Sequence, residues 1–569
     1  MNPSQTSSNL LNSTLHAMRR ALVYTFIFSF AINVLSLLMP IYSLQVFDRV
    51  FTSRSIDTLV ALTGVVLIGY VFYGLLYAIR GGIIARIVEW MERVMAPKLL
   101  HASLFQASAV GTPMAGQHQR DLMGIKNFIS GSAPTLMDIP WSVLFVIVIY
   151  MINPILGALS IGGIAMLSIS ALVNEYATRK PLMRASEKNV ETMMHADLLG
   201  RNAEAIQAMG MGDTVIARWR EQNDTGLELQ DRAQSRSAIV MATSRSMRMV
   251  LQLSVTGIGA WLALNNQLSS GGLVASSMLI ARAMAPFEGT IMLWKQFIGA
   301  RDSYRRLTNL LKTMDMPMGD TRLPTPQGAL SVENVYYTPP KSPPVLRGIS
   351  FSLSPGESLG IIGPSAAGKS TLGKALMGIF PPTHGNVRLD GADIFQWARA
   401  DIGRHVGYVP QQVELFMGTL KQNIARMAEN PSDESVIEAA QKAGVHELIL
   451  QFPNGYDTKY IPGNTILSPG QKQRLGLARA MYGTPRFIVM DEPNSNLDGD
   501  GERALQQALR VLKQLKVTTV LIAHRPSILS TVDKVLMLRG GQVEMFGARD
   551  EVLQRFSQPQ KQVAAPHAS

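Results

Sequence analysis

Cysteine is missing from all 569 residues. Disulfides, thiolate metal sites and a cysteine nucleophile are therefore excluded. The absence fits a chain that works in or beside the cytoplasm. Charge is also scarce, at 17% of residues against 47% hydrophobic. Acidic residues are the scarcer sign, 41 against 53 basic, which leaves a formal charge of +12. That excess does not argue for a nucleic-acid partner. No basic stripe interleaved with aromatics is present, and the Lys and Arg cluster in loops between apolar runs, where the positive-inside rule places them on the cytoplasmic side of a bilayer. The polar N-terminal stretch Met1–Arg20 carries no cleavable-signal pattern.

What is abundant is apolar sequence of membrane-spanning length, and all of it lies before about residue 315. Six spans are expected, each approaching the roughly 20 residues that cross a hydrocarbon core: Ala21–Tyr42, Leu59–Ile79, Trp141–Ile152 with an earlier start, Ile155–Val173, Met249–Leu264 and Leu273–Phe297. A turn at Asn153–Pro154 separates the third from the fourth. Loops after the first, third and fifth spans are short. Those after the second and fourth are long, helical in pattern and basic, with Arg80, Arg86, Arg93, Lys98, Arg120 and Lys126 in one and Arg179, Lys180, Arg184, Lys188, Arg201, Arg218 and Arg220 in the other. They point to the cytoplasm, as do both termini. Single polar residues such as Ser36, Ser43, Gln45, Ser142, Ser168 and Asn174 fall within or near the spans, where bonding to a helix's own carbonyls is the ordinary outcome. The expected organisation is an all-α membrane domain of six helices over 1–315, a Pro-containing linker over 316–328, an α/β nucleotide-binding domain over 329–557 and a disordered tail over 558–569.

The chemistry lies in the second part. Gly363, Pro364, Ser365, Ala366, Ala367, Gly368, Lys369, Ser370 and Thr371 fit G-x-x-x-x-G-K-[ST] between a strand at Ser358–Ile362 and a helix at Thr371–Ile379. That is the context a phosphate-binding loop requires. Glycines admit phosphate oxygens to the backbone N–H groups, and the helix N-terminus adds its dipole. Lys369 is placed to reach the β- and γ-phosphates of ATP, and Ser370 to ligate Mg²⁺. Downstream, Phe487–Met490 reads as a buried strand ending in Asp491 and Glu492. Asp491 is placed to hold Mg²⁺ through water, and Glu492 to act as general base toward the attacking water.

Leu467-Ser468-Pro469-Gly470-Gln471 then resembles the signature of ABC ATPases, usually LSGGQ, with Pro469 in place of the first glycine and one backbone donor lost. The resemblance implies further sites. Gln411 in GYVPQQVELF resembles the Q-loop glutamine, near the metal and the γ-phosphate. Asp498 resembles the D-loop aspartate, and His524 in LIAHRP the switch histidine. Tyr337 is the choice for the adenine-stacking aromatic, with Tyr336 adjacent. Ser468, Gly470 and Gln471 would contact ATP bound to a second copy. One cassette with six spans resembles a half-transporter that works as a homodimer. Coupling helices, which in this family dock onto the cassettes from loop tips, are expected at Gly116–Ile125 and Ala203–Met209.

The segments MPIYSLQVFDRV at Met39–Val50, NAEAIQAMGM at Asn202–Met211, GRHVGYVPQQVELFMGTLKQNIAR at Gly403–Arg426 and MDEPNSNLDGDGE at Met490–Glu502 narrow the resemblance. They are similar to the permease/ATPase of type I secretion systems, in the protease- and haemophore-exporting branch. That branch lacks an N-terminal peptidase-like domain, and none is expected here. The resemblance implies a bacterial inner-membrane ATPase exporting an unfolded polypeptide with an uncleaved C-terminal signal. It also implies a periplasmic adaptor (membrane fusion protein) and an outer-membrane channel as partners. The alternative is an ABC exporter of lipid, drug or small peptide.

Overall fold

The computed structural model describes residues 8–110, 115–313, 323–339, 342–463, 466–523 and 526–557. A first compact unit ends at Asp315 and a second begins at Met316. The tail from residue 558 and most of the expected linker lie outside the described residues.

The first unit is helical throughout: α1 Ser8–Leu35, α2 Leu38–Gln45, a π-helical turn Val46–Val50, α3 Phe51–Ser53, α4 Ile56–Val110, α5 Ala115–Gly131, α6 Ala133–Asp138, α7 Ser142–Ile152, α8 Pro154–Arg201, α9 Ala203–Ala208, α10 Gly212–Leu264 and α11 Ser270–Thr313. Only helices satisfy their own backbone groups in lipid within one segment. At 1.5 Å per residue α4, α8 and α10 are each about 70–80 Å long, far more than a bilayer needs. The basic loop sequences are thus not loops but continuations of the spans. Pro181 sits inside α8 without ending it.

Two spans are broken instead, each at a proline. Pro40 has no N–H to give the Ser36 carbonyl, and the helix turns at Ser36–Leu37. Pro140 likewise separates α6 from α7. Asn153 closes the next turn, its Oδ1 accepting from Ile155 N at 2.9 Å. Gly157 is required there, because a Cβ would lie 2.7 Å from Tyr150 Cα. The spans' serines behave locally: Ser36, Ser142 and Ser168 donate to the carbonyls of Asn33, Ile139 and Ile164 at 2.7, 2.7 and 2.8 Å.

Five described stretches are long and apolar enough to cross a membrane: Met18–Ser53, Ile56–Ala107, Ala133–Ile152, Pro154–Arg201 and Gly212–Leu264. The sixth expected span lies in α11, whose apolar run is interrupted by Arg282 and Glu288. Its face of Ala275, Ser276, Leu279, Ile280, Ala283 and Met284 is at most 1% exposed, and it packs against α2, α5, α7, α8 and α10. A helix enclosed by neighbours needs little lipid-facing surface, so hydropathy alone understates it. The peripheral α4 shows the opposite, leaving Val60, Val65, Val71 and Phe72 exposed.

The expected coupling segments differ. Ala203–Ala208 is a short, exposed helix between the long α8 and α10. Gly116–Ile125 is instead part of α5, with His118, Asp121 and Leu122 buried in the bundle. Its buried polar residues, His118 and Asp121, are satisfied internally rather than offered at a tip.

The second unit is an α/β fold. Its strands are β1 Leu330–Tyr337, β2 Leu346–Leu353, β3 Ser358–Ile362, β4 His384–Leu389, β5 Ala392–Asp393, β6 Val406–Val409, β7 Gly418–Thr419, β8 Lys459–Tyr460, β9 Phe487–Asp491, β10 Thr518–Ile522, β11 Lys534–Arg539 and β12 Gln542–Ala548. Its helices are α12 Lys369–Leu376, α13 Arg399–Ile402, α14 Leu420–Ile424, α15 Asp433–Lys442, α16 His446–Leu450, α17 Pro469–Met481, α18 Gly499–Gln514, α19 Pro526–Leu529 and α20 Arg549–Ser557. A six-stranded sheet runs β12-β11-β3-β10-β9-β6, parallel except for β12. An antiparallel sheet runs β2-β1-β4-β5. β3, β9 and β10 are buried at every residue, as a parallel sheet covered on both faces demands. Alternation then divides the core. Phe487, Val489, Val520 and Ile522 pack with the antiparallel sheet and α12, whereas Ile488, Met490 and Leu521 pack under α14–α18.

One buried ion pair ties the first unit together. Arg80, 5% exposed, donates through Nη1 to Ser29 Oγ at 2.9 Å and to Asp138 Oδ1 at 3.0 Å, and Asn33 Nδ2 donates to the same Oδ1 at 3.0 Å. Asp138 lies at the end of α6, beside the Pro140 break, so the pair pins that break to α1 and α4. We expect Asp138→Leu to cost about 3–5 kcal/mol, because it strands a buried guanidinium. Thermal unfolding of the purified protein in detergent should show the loss, with most of it recovered in the Arg80→Leu/Asp138→Leu double variant.

Candidate nucleotide site

The carboxyl ends of the parallel strands carry the candidate residues, the usual place for a ligand in an open α/β sheet. β3 leads into Gly363–Gly368, and α12 begins at Lys369. The loop's geometry depends on its glycines. Gly368 has φ +96° as the residue preceding α12, and a Cβ there would lie 3.1 Å from the Val345 carbonyl. Gly363 has φ +151°, and its Cβ would lie 2.2 Å from the Leu538 carbonyl. Ala366 is left-handed too, at φ +62°, a strained setting for a residue with a Cβ.

Lys369 curls back over this loop. Its Nζ donates to the Gly363 and Pro364 carbonyls, both at 2.9 Å, and the residue is only 6% exposed. Burial pulls its pKa below the usual lysine value, against the opposing pull of Glu492 and Asp491. The next residue, Ser370, donates its hydroxyl to Asp491 Oδ1 at 3.1 Å. Asp491 ends β9 at 3% exposure. Burial raises its pKa above the ordinary carboxylate range, with the Ser370 hydrogen bond acting against that. Two carboxylate-type oxygens and a hydroxyl are hard donors suited to Mg²⁺. Among the described residues no three His, Cys, Asp or Glu side chains converge as a metal cage. The fit is therefore to a metal shared with phosphate oxygens. Burial, followed by the Asp491 charge, also pushes the neighbouring Tyr408 hydroxyl up to about 12.

Glu492 holds φ +46°, while its backbone N–H donates to Ile522 O at 3.0 Å. Gln411, which follows β6, donates Nε2 to Glu492 Oε2 at 3.0 Å. The structure thus brings together Lys369, Ser370, Gln411, Asp491 and Glu492 from three strand ends. β10 ends at Ile522, paired with Asp491. His524 follows two residues on and lies outside the described residues.

Tyr337 closes β1 and stacks on Phe380, with ring centroids 3.9 Å apart and planes at 24°. Phe380 is 5% exposed and was not singled out in the sequence, although it lies four residues after the end of α12. Tyr336, the alternative, makes an edge contact with His384 instead.

Ser468, Gly470, Gln471 and Asp498 form a second cluster. Ser468 caps α17 reciprocally: Gln471 N donates to Ser468 Oγ at 3.2 Å and Ser468 N to Gln471 Oε1 at 2.9 Å. Pro469 takes the first helical position, where a proline removes only an N–H that the helix leaves unpaired anyway. The substitution therefore costs the fold nothing. Gly470 has no such freedom, since a Cβ would lie 2.6 Å from the Asn496 carbonyl. Asp498 caps α18, accepting from Gly501 N at 2.8 Å, and also accepts from Arg474 Nη2 at 3.3 Å. We expect Gly470→Ala to push residues 496–498 away from α17 and to lower ATPase turnover at least about tenfold, equivalent to roughly 1.4 kcal/mol in the barrier. Pro469→Ala should change thermal stability by less than about 1 kcal/mol.

Comparison with known proteins matches both units. The ABC transporter family matches residues 346–495, and the ABC transporter transmembrane region matches residues 22–287. The type I secretion system ATP-binding protein PrsD of Rhizobium meliloti is 38% identical over 95% of this chain and 94% of its own length. The cyclolysin secretion/processing ATP-binding protein CyaB of Bordetella pertussis is 31% identical over 92% of this chain and 75% of its own. A solved bacterial Atm1-family ABC exporter with ATP bound shares the fold, with a TM-score of 0.77 over 95% of this chain and 97% of that one at 20% identity. Matched in both its helical unit and its cassette, this chain belongs to the ABC transporters of type I secretion systems, multi-pass membrane proteins that bind ATP and couple its hydrolysis to transport.

Proposed function

We propose that this chain works as a homodimer in the bacterial inner membrane, with cassettes and termini in the cytoplasm. It exports an unfolded polypeptide bearing a C-terminal secretion signal, together with a periplasmic adaptor and an outer-membrane channel. The observation that carries this reading is the 38% identity to a type I secretion ATPase along nearly the whole of both chains. Relatives named for cyclolysin and leukotoxin secretion support it.

The site residues take these roles. Lys369 exchanges its two loop carbonyls for the β- and γ-phosphates. Ser370 and Asp491, with Gln411 nearby, are the groups for Mg²⁺, which when bound neutralises phosphate charge. Glu492 accepts a proton as a water oxygen attacks the γ-phosphorus and the bond from that phosphorus to the bridging oxygen of ADP breaks, and the Gln411 amide holds the carboxylate in place. Tyr337, backed by Phe380, presents its ring to adenine. His524 contacts the γ-phosphate. Ser468 and Gln471 bond to each other at the start of α17, Gly470 lies against Asn496 and Asp498 accepts from Arg474 of the same helix, and the resemblance to ABC ATPases supports their serving the ATP of the partner copy. There Pro469 withholds one backbone donor.

Two outcomes are expected. Glu492→Gln should lower steady-state ATPase by at least about 100-fold, the scale of general-base catalysis, and Lys369→Ala should abolish it. Intact ATPase in either variant would overturn these assignments. In cells supplied with the adaptor and channel, a cargo with Gly-rich Ca²⁺-binding repeats should be exported. Export should require both Glu492 and the last ~50 residues of the cargo, a length that can span the cassette when extended. Export that ignores the tail, or transport of lipid or a small molecule in its place, would overturn the polypeptide reading.

A further inference from the structure

The bundle holds a second ion pair that the ATP chemistry does not use, between a buried carboxylate and a guanidinium that is 35% exposed. Asp121 of α5 is 2% exposed. Arg306 of α11 grips it with one edge of its guanidinium. Nε donates to Oδ1 and Oδ2 at 3.2 and 3.0 Å, and Nη2 to Oδ1 at 2.5 Å. Ser303, one turn earlier on α11, donates to Oδ1 at 3.0 Å, and Gln117 Nε2 donates to the same oxygen at 3.3 Å. Back along α5, His118 joins α4. Ser103 gives its hydroxyl hydrogen to the Leu99 carbonyl at 2.6 Å, so His118 Nδ1 donates to Ser103 Oγ at 2.7 Å. Burial lowers the pKa of His118. Gly124 lets α5 and α11 close on each other, since a Cβ there would lie 3.3 Å from Ser303 Oγ and 4.0 Å from Ser303 Cβ.

Stability alone gives no reason for such a group. A partly exposed ion pair adds little to stability, and even a fully buried one can often be replaced by apolar residues of the same volume at little or no cost. Here Leu122, Leu307, Leu310 and Leu311 already supply an apolar contact between the same helices. What the bidentate pair adds is direction: it holds only one register of α5 against α11. The positions are informative. Four residues separate the end of α4 from the start of α5, and α11 ends at Thr313, from which the chain continues toward the cassette.

We propose that Asp121 and Arg306 are positioning residues for coupling. They lock α4, α5 and α11 into one lever, so that α4 and α5 follow the helix joined to the cassette throughout the ATP cycle. The export arm of the test rests on the secretion reading. The nucleotide arm does not.

The absence of cysteine makes the test direct. The Gly124→Cys/Ser303→Cys pair falls in the range of about 3.5–4.5 Å between Cβ atoms that a disulfide needs. In proteoliposomes, oxidising this pair should leave ATPase within about twofold of the reduced protein, a change well under 1.4 kcal/mol in the barrier. Loss of ATPase on oxidation, restored by reductant, would show that the helices must part and would overturn the proposal. In inside-out membrane vesicles, Asp121→Asn should lower cargo uptake by at least about tenfold with ATPase unchanged, a split that general destabilisation does not produce. Oxidising the cysteine pair in the Asp121→Asn background should restore uptake. Parallel loss of ATPase and uptake, or no rescue by the disulfide, would overturn the proposal. If the parent protein imports no cargo, the secretion reading fails, and the disulfide ATPase result still decides the lever.

Discussion

An ammonium group that has given up most of its water governs the cassette. Lys369 is buried and donates to two carbonyls of its own loop. A cation in that state is stabilised by any polyanion that displaces those carbonyls, and the loop's left-handed glycines leave room for one. The rest of the fold serves this point. β3 must be buried on both faces to present the loop rigidly, which needs β10 and β11 beside it and an apolar layer above and below. The neighbouring strand ends then bring Asp491 and Glu492 to the same edge.

The helical unit answers a different constraint. In lipid, each break in a helix exposes backbone groups that must find partners. The bundle breaks where proline forces it, and the break at Pro140 sits beside the Asp138–Arg80 pair. Ion pairs in this unit with a buried partner lie where helix geometry is irregular or where helices must keep register. The Asp121–Arg306 pair is of the second kind.

Much of the site was legible because it depends on local order. A phosphate loop is a run of adjacent residues between a strand and a helix, and Asp491 and Glu492 are adjacent at one strand end. Their spacing survives any arrangement of the rest. Pro469 looked like a loss in sequence, whereas at the first position of α17 it costs the helix no hydrogen bond. Phe380 went unnoticed because its partner, Tyr337, is on a distant strand. The span expected at Leu273–Phe297 lies within α11, which is absent from the described stretches apolar enough to cross a membrane by hydropathy alone because α11 faces other helices.

Sequence by itself determined the two-part organisation, the apolar helices, the order of nucleotide motifs and the resemblance to type I secretion ATPases. Each of these is written in runs or spacings along one segment. Tertiary structure decided that Gln411 meets Glu492, that Ser370 meets Asp491, that Gly116–Ile125 is bundle wall rather than loop tip, and that Asp121 is paired with Arg306. Those pairings join residues far apart in the chain. Only packing can select them, since a buried charge or strained residue is tolerated where the fold supplies its partner and nowhere else.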